Sequence, residues 1–286
     1  MTSAHDPFPR PPLDGAALDA ALARPGGMWH RVEVLPEAAS TNTELTARAV
    51  EGAPHGSVLV TEHQTAGRGR LGRGFSTPPR AALTFSLLVR PAVPVTRLGW
   101  LPALMGVAAV GAVHRVTGVK AALKWPNDVI VPAHLRSEPA TADGKLAGIL
   151  SEADFSSGQP GVVVGMGLNV SQERAELPVD TAVSLRGEGS DALDRGVLLA
   201  AVLGGFEELY TVWTAAGGDA EASGLAAAYR DACVTIGRRV RVHLPGDRVL
   251  EGTATGVDAD AQLLVRGPGG ERALSAGDVV HVRPGS

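Results

Sequence analysis

The chain has 286 residues, of which 44% are hydrophobic and 20% are charged. These values are typical of a globular protein, and the length allows one large domain or two unequal domains. The formal net charge of −4 argues against non-specific binding to long nucleic acids, because such binding requires a surplus of basic residues.

Targeting signals are not evident in the sequence. Residues 1–12 are rich in proline and lack the apolar segment of a signal peptide, so we expect a disordered tail. The most apolar stretch, residues 98–113, is shorter than the roughly 18 residues that a membrane helix needs. The one cysteine, Cys233, cannot form an internal disulfide, so no oxidising compartment is implied. We therefore expect a cytoplasmic protein.

Hydrophobic periodicity predicts strands and helices in alternation over most of the chain. The first helix is predicted to begin after Asp14, its N-cap. The predicted strands are Trp29–Leu35, Gly56–Glu62, Ala82–Val89, Ala122–Val131 (interrupted at residues 125–128), Lys145–Asp154 and Val162–Val170. Further helices are predicted from residue 40 to about 50, from 98 to 117 and from 198 to 213. The polar stretch Pro132–Asp143 is predicted to be an exposed loop.

The composition changes after about Gly237, where short alternating runs are separated by turn-forming residues. This pattern predicts a small barrel of about five strands. We therefore expect a Pro-rich tail at residues 1–12, an α+β domain at 13–234 and a small β domain at 235–286.

The segment from Gln64 to Gly74 reads QTAGRGRLGRG. Its spacing matches G-x-G-x-x-G, but no helix is predicted after it and no acidic residue lies near position 90, so a dinucleotide-binding loop is excluded. Glycines let backbone N–H groups approach an anion, and arginines bind phosphate or carboxylate in bidentate fashion. The segment therefore suits a polyanion such as ATP, with a solvated basic turn as the alternative.

Only three of the 26 basic residues are lysines, at positions 120, 124 and 145. Lys124 begins the cluster KWPND, for which a structural ion pair at a strand bulge is the alternative to a functional role. Lys145 begins KLAGIL, where strand alternation predicts that Lys145, Ala147 and Ile149 share one face. For Lys145 the alternative is an exposed strand end.

Ser40, Thr41 and Asn42 directly precede a predicted helix. Thr41 and Glu44 fit the S/T-x-x-E capping box, so these hydroxyls would cap the helix. A helix N-terminus is also a place where N–H groups and hydroxyls bind a polar ligand. Gly165 and Gly167 interrupt a predicted strand, as glycines do where a ligand approaches the backbone.

Other chemistries have little support. The eight histidines lack the paired spacing of zinc ligands, and no G-x-S-x-G motif is present. Cys233 lies in an Ala-rich segment and is predicted to be a small core residue rather than a nucleophile.

Five motifs follow one another along the chain: STN at 40–42, QTAGRGRLG at 64–72, KWPND at 124–128, GKLAGIL at 144–150 and GMGLN at 165–169. In this combination and order the chain resembles the biotin–protein ligases over roughly residues 14–285. The resemblance implies an α+β fold: a biotin/lipoyl protein ligase catalytic domain, class II synthetase-like with a mixed sheet and helices, followed by a small SH3-like β-barrel. About 13 residues precede the first predicted helix, so we expect the monofunctional type without an N-terminal DNA-binding domain.

The resemblance implies a two-step ligation. Biotin and ATP give biotinyl-5′-AMP, and a lysine of a biotin carboxyl carrier protein domain of an acyl-CoA carboxylase then takes the biotinyl group. Mg²⁺ is implied by the ATP chemistry, although no residue is identified as a dedicated metal ligand.

The same resemblance assigns roles to individual residues. The catalytic residues are Lys145, Arg68 and Arg70. Biotin is assigned to Ser40, Thr41, Asn42, Gln64, Gly67, Arg68, Lys145, Gly148 and Gly165. ATP and the adenylate are assigned to Arg68, Gly69, Arg70, Gly72, Lys124, Asn127, Asp128 and Asn169. Lys124 and Asp128 would orient the adenylate or the incoming lysine, or only hold the strand.

Two alternatives stay open. A lipoate–protein ligase shares the fold and the adenylation chemistry but differs in its acyl pocket, and the GRGRLG and KWPND motifs favour biotin. An inactive carrier-binding module is disfavoured by the presence of Arg68, Arg70 and Lys145. We expect neither DNA nor membrane as a partner. Members of the family exist as monomers and as homodimers, and the residues do not distinguish the two.

Overall fold

A seven-stranded mixed sheet forms the centre of the larger part of the molecule. The computed structural model describes residues 10–155, 160–244, 248–275 and 277–281. The strands up to residue 169 are β1 Arg31–Leu35, β2 Ser57–Thr61, β3 Gly67–Arg68, β4 Gly74–Phe75, β5 Ala82–Val89, β6 Ala122–Lys124, β7 Asp128–Val131, β8 Gly144–Asp154 and β9 Gly161–Asn169. Their order in the main sheet is β1-β2-β5-β9-β8-β7-β6. The β1–β2 pair is parallel and the other neighbours are antiparallel.

Helices cover both faces of this sheet. They are α1 Gly15–Leu22, α2 Thr41–Val50, α3 Trp100–Thr117, α4 Arg195–Ala215 and α5 Leu225–Ala232. One face packs against α3 and α4, whereas α2 packs against β5, β8 and β9 on the other. All eight residues of β5 are buried, which explains why its sequence reads as a nearly continuous apolar run. The predicted α+β class is confirmed.

Two helices are long and apolar enough to cross a membrane by length and composition alone, Val95–Thr117 and Arg195–Ala215. The first is longer than the apolar stretch seen in the sequence, because a 3₁₀ turn precedes α3. Side chains of both helices belong to the main hydrophobic core: Leu101, Leu104 and Leu203, for instance, are fully buried. Both helices therefore serve as core helices of this domain.

Five antiparallel strands form a second sheet in the C-terminal part, as predicted. They are β10 Arg239–Leu244, β11 Arg248–Val257, β12 Leu263–Gly267, β13 Gly270–Leu274 and β14 Asp278–His281, in the order β13-β12-β11-β10-β14. In the described residues β13 and β14 are the edges of this sheet, so the predicted barrel is seen as an open five-stranded sheet. The turn between β11 and β12 contacts the larger domain directly, since Trp100 Nε1 donates to the Ala259 carbonyl at 2.9 Å.

The interrupted strand predicted at residues 122–131 is instead two strands of a hairpin. β6 ends at Lys124 and β7 begins at Asp128, and these two residues face each other in antiparallel register. Pro126 has no N–H to give to a sheet ladder, so the chain turns at residues 125–127.

Two other segments are held more firmly than the sequence predicts. Of the predicted disordered tail, residues 1–9 lie outside the described residues, whereas the Arg10 guanidinium pairs with Glu176. In the Pro132–Asp143 loop, Arg136 Nε donates to Glu188 at 2.5 Å and Asp143 accepts from Arg238. Ion pairs therefore fix the middle and the C-terminal end of a loop whose composition indicates only exposure.

Candidate active site

The α2 face of the main sheet carries a patch of glycines. Gly148 on β8 lies opposite Gly167 on β9, and Gly165 lies two residues away on β9. A Cβ at Gly165 would overlap the Asn42 amide, and one at Gly167 would come within 2.6 Å of the Phe75 ring. The missing side chains therefore let α2 and the segment after β3 lie directly on the sheet.

The N-terminus of α2 stands above this patch. Ser40 is the N-cap, because its side chain accepts from the Thr43 N–H, and Thr41 is the first helical residue. The predicted capping box of Thr41 and Glu44 is therefore wrong by one residue. The shift releases the Thr41 hydroxyl, which points into the buried interface instead of capping the helix.

A chain of buried polar groups connects α2 to the sheet. Thr41 N–H donates to Gln64 Oε1 at 2.8 Å, and Ser86 Oγ lies 2.8 Å from Thr41 Oγ1 and 2.6 Å from Asn42 Oδ1. Asn42 Nδ2 donates to the Leu150 carbonyl at 3.1 Å and to Glu152 at 2.8 Å. Ser40, Thr41, Asn42 and Gln64 are all buried. The structure thus brings four of the predicted biotin residues together.

Lys145 lies at the other end of the patch. Its Nζ is 2.6 Å from Asp128 Oδ1, and a Cβ at Gly148 would lie 3.6 Å from Lys145 Cε and Nζ. The predicted alternation, which grouped Lys145 with Ala147 and Ile149, is wrong. An irregularity in the β7–β8 register shifts Lys145 to the face of Gly148, while Ala147 and Ile149 pack in the core.

The glycine- and arginine-rich segment forms a small hairpin of β3 and β4. A Cβ at Gly67 would lie 2.6 Å from Gln64 Nε2 and would overlap the Phe75 carbonyl. Gly69 N–H donates to the Arg73 carbonyl at 2.6 Å, and Gly72 has a φ of +73°. Gly67 therefore excludes a side chain because of backbone packing, and Gly72 disfavours one because of its conformation.

The arginines of this hairpin have different surroundings. Arg68 is exposed, whereas Arg70 is half-buried. Burial lowers the pKa of Arg70, and the nearby Asp278 and Asp128 oppose that effect. Arg73 forms an ion pair with Asp278 of β14, and its hydrogen bond lowers the pKa of the Asp278 carboxyl, with Lys124 and Arg70 acting in the same direction. A cation-rich region therefore adjoins the glycine patch.

Asn127 and Asn169, which were also predicted to bind the nucleotide, form hydrogen bonds with backbone groups. Asn127 Nδ2 donates to the Ile149 carbonyl at 2.8 Å, and Ile149 N–H donates back to Asn127 at 2.9 Å. Asn169 Nδ2 donates to the Val183 carbonyl at 2.9 Å, and its Oδ1 accepts from Gln172. Both asparagines thus anchor neighbouring loops next to the patch.

Three residues of this region were not singled out from the sequence: Phe75, Ser86 and Glu152. A signal existed for Ser86, because Thr84 and Ser86 are polar at alternate positions of an otherwise apolar strand. Such residues lie on one face and need buried partners. In the described part of the chain, no group of three or more His, Cys, Asp or Glu side chains is arranged to hold a metal ion.

The sequence matches two family models. Residues 34–169 match the Biotin/lipoate A/B protein ligase family, and residues 235–282 match the Biotin protein ligase C terminal domain. The chain is 42% identical over 279 residues to the biotin--[acetyl-CoA-carboxylase] ligase of Mycobacterium tuberculosis, which covers 96% of this chain and 97% of that protein. It is 28% identical over 249 residues to the bifunctional ligase/repressor BirA of Bacillus subtilis, covering 84% of this chain and 71% of that protein.

Solved structures agree with these matches. The structure of the biotin protein ligase from Aquifex aeolicus in complex with biotin and ATP superposes with a TM-score of 0.72 at 25% identity, covering 90% of this chain and all of that one. Sequence identity along nearly the whole chain, both family models and the fold agree with the motif-based resemblance. The chain therefore belongs to the biotin protein ligase family.

Proposed function

We propose that this protein activates biotin with ATP as biotinyl-5′-AMP and transfers the biotinyl group to a lysine of a biotin carboxyl carrier protein domain of an acyl-CoA carboxylase. One observation carries the proposal. A single sheet face holds a buried polar cluster at one end and Lys145 at the other, separated by glycines. An acid with a polar head and an apolar chain fits this arrangement, with its carboxylate beside the lysine.

In the first step, a carboxylate oxygen of biotin attacks the α-phosphorus of ATP. The bond from that phosphorus to the β-phosphate oxygen breaks, and pyrophosphate leaves. Two anions must approach each other, so fixed positive charge lowers the barrier. Lys145 is held beside the glycine patch by Asp128, and Arg68 and Arg70 belong to the hairpin beside it. We assign the carboxylate and α-phosphate to Lys145, and the phosphates to the two arginines.

In the second step, the amine of the carrier lysine attacks the carbonyl carbon of the mixed anhydride. The bond to the AMP oxygen breaks, AMP leaves, and the amine loses a proton as the amide forms. A mixed anhydride reacts with water, so the site has to exclude it. The β3–β4 hairpin and the Phe75 ring lie over the patch and supply that cover.

We propose Mg²⁺ as the counter-ion that enters with the triphosphate. Asp128, the acidic residue on the patch, is already paired with Lys145, and the described residues offer no cluster of metal ligands. The phosphate oxygens would therefore supply most of the coordination. The protein residues of the site bind and orient the anions.

Relatives support biotin as the acid, because the Mycobacterium tuberculosis protein is named a biotin ligase and the Aquifex aeolicus structure holds biotin and ATP. Lipoate is the second candidate, since one matching family model includes both kinds of ligase. We place the reaction in the cytoplasm, without DNA or membrane as a partner.

The test is to incubate the purified protein with ATP, Mg²⁺ and either biotin or lipoate, and to detect the acyl-adenylate by mass spectrometry. We expect biotinyl-AMP and pyrophosphate with biotin, and no lipoyl-AMP. Lipoyl-AMP alone would reassign the protein to lipoate activation. No adenylate with either acid would favour an inactive carrier-binding module and withdraw the roles of Lys145, Arg68 and Arg70.

A further inference from the structure

The buried polar side chains beneath α2 form a series of hydrogen bonds in which each donor and acceptor role is fixed. Asn42 Nδ2 donates to the Leu150 carbonyl and to the Glu152 carboxylate, and both partners only accept hydrogen bonds. The other end of the amide, Oδ1, therefore faces Ser86 at 2.6 Å. A carbonyl oxygen cannot donate, so the single proton of the Ser86 hydroxyl is committed to Asn42.

This commitment determines what the Thr41 hydroxyl can do. Ser86 Oγ, 2.8 Å away, has already given its proton to Asn42 and can only accept from Thr41. The second neighbour, Gln64 Oε1 at 3.3 Å, is an acceptor too, because it receives the Thr41 backbone N–H. Both protein neighbours of Thr41 Oγ1 are therefore acceptors. The Thr41 proton therefore points to one of these two oxygens, and neither of them uses the remaining lone pair of Oγ1.

We propose that Ser86, oriented by Asn42 and Glu152, is a positioning residue that makes Thr41 an obligate acceptor and thereby selects acids whose ring carries an N–H. The inference rests on the proposed function and specifies how the site tells its acids apart. The ureido ring of biotin brings N–H donors to Thr41. The dithiolane ring of lipoate brings none, and it would leave the lone pair of the buried Thr41 hydroxyl without a donor.

The burial of the chain makes the effect large enough to measure. Ser86 is 0% exposed, and Thr41 and Asn42 are 3% and 4% exposed. Water cannot replace a lost partner at such positions without a space to occupy. If Ser86 is replaced by alanine, the only acceptor of the two that remains for the Thr41 hydroxyl is Gln64 Oε1 at 3.3 Å. A hydrogen bond of that length is weak, so the proton can rotate toward the ligand, where it opposes the ligand N–H.

A double-mutant cycle on biotin binding tests this role. The proteins are wild type, Ser86→Ala, Thr41→Val and the double variant, and the measurement is the biotin Kd by calorimetry without ATP. We expect Ser86→Ala to weaken binding about tenfold when Thr41 is present, and less than twofold in the Thr41→Val background. An equal loss in both backgrounds would overturn the proposal, because a purely structural role of Ser86 does not depend on Thr41.

A ligand series gives a second readout on the same proteins. Desthiobiotin keeps the ureido ring and lacks the sulfur-containing ring. We therefore expect Ser86→Ala to raise the Kd of biotin and the Kd of desthiobiotin by the same factor. Lipoate binding should not weaken, so the ratio of biotin to lipoate affinity falls about tenfold. An unchanged ratio would contradict the proposal.

Glu152→Gln keeps the shape of the side chain, and it replaces Ser86→Ala in the binding test if Ser86→Ala does not fold. Its amide can present either end to Asn42, so we expect about threefold weaker biotin binding, again only with Thr41 present. Glu44→Gln on the exposed side of α2 is the matched control and should leave the Kd unchanged. Equal effects of the two changes would overturn the role of Glu152 and, with it, the proposal.

Failure of this inference is separable from failure of the proposed function. If wild type binds biotin and the cycle is additive, only the role of Ser86 is wrong. If wild type binds neither acid, or lipoate alone, the proposed function fails and the inference fails with it.

Discussion

Lys145 Nζ lies 2.6 Å from Asp128 Oδ1, across the register irregularity that joins β7 and β8. The lysine side chain is 44% exposed and the aspartate is 22% exposed. The ammonium is therefore held in place without being enclosed, and it stays accessible to an anion on the glycine patch. A fixed but accessible charge fits the role that we propose for Lys145 in adenylate formation.

Replacing Lys145 by alanine should reduce kcat for biotinyl-AMP formation by about 10²–10³, as removal of a charge-stabilising donor does elsewhere. The measurement is single-turnover adenylate formation at saturating biotin and ATP. Lys120→Ala is the matched control, because Lys120 is exposed and its Nζ faces His114. Adenylate formation at the wild-type rate in Lys145→Ala would remove the catalytic role of this residue.

Asp128→Asn keeps the Lys145 charge and removes the carboxylate that holds it. We expect an intermediate loss, about tenfold in kcat, because orientation contributes less than the charge itself. The KM for biotin should change less than twofold, since the polar cluster at Ser86 is not altered. A loss as large as that of Lys145→Ala would mean that Asp128 itself contacts the reacting groups.

Gly165→Ala should weaken biotin binding by more than tenfold and lower the free energy of unfolding by about 1–3 kcal/mol. The new methyl group would overlap the Asn42 amide and press on Ser86, 3.0 Å away. Gly204→Ala in α4 is the control: a Cβ there meets nothing within 4 Å, and alanine in a helix stabilises by about 0.5–1 kcal/mol relative to glycine. Calorimetry and urea unfolding measure both effects. Equal behaviour of the two variants would disprove the packing argument.

Arg195→Ala should lower the free energy of unfolding by about 3–5 kcal/mol. Its guanidinium pairs with Glu62 at 2.6 Å, and the two side chains are 4% and 9% exposed, so the change leaves a buried carboxylate without its cation. Arg230→Ala removes an exposed pair with Glu221 and should cost less than about 1 kcal/mol. Urea unfolding of the two variants measures both losses. Equal losses in the free energy of unfolding would contradict this prediction.

The folded protein should lose stability in mild acid because of His281, at the end of β14. Its Nδ1 lies 3.5 Å from Asp143 Oδ2 in the larger domain. Burial, with Lys124 and Arg238 nearby, lowers the pKa of His281 from 6.5 to about 4. Between these values the unfolded chain binds a proton that the folded chain does not, so stability falls as the pH drops from 6.5 toward 4, by up to about 3 kcal/mol. Above pH 6.5 the histidine is neutral in both states and contributes no such loss.

Urea unfolding at pH 7 and at pH 5 tests this prediction. His281→Gln should lose less stability over this interval than wild type does. His134→Gln, at an exposed position, is the control and should follow wild type. If His281→Gln also follows wild type, His281 is not a source of the acid sensitivity.

Periodicity and motif order were enough to predict much of this molecule. The strand at Ala82–Val89 was predicted with the bounds that the structure shows, because a strand that is buried along its whole length has a nearly continuous run of apolar residues. The five-stranded C-terminal sheet followed from its alternating runs. The motifs at residues 40–42, 64–72, 124–128, 144–150 and 165–169 identified the family, because five short motifs in this combination and order form a highly specific pattern.

The failures of prediction lie where a single-residue shift changes a side chain's direction. Strand alternation placed Lys145 with Ala147, and the register irregularity opposite β7 moved it to the other face. The capping box placed Thr41 on the helix end, and Ser40 took that position instead. Neither the register irregularity nor the one-residue shift of the N-cap alters the hydrophobic periodicity enough to be detected in the sequence.

The class of the fold, most of its strands and helices and the family can all be inferred from the chain without coordinates. Which side chains meet cannot, because contacts such as Asn42 with Glu152, or Lys145 with Asp128, depend on strand register and on the packing of α2. Local propensity acts over a few residues, whereas these contacts span up to 110 residues of chain. Their geometry is fixed only when the sheet and its covering helix are assembled together.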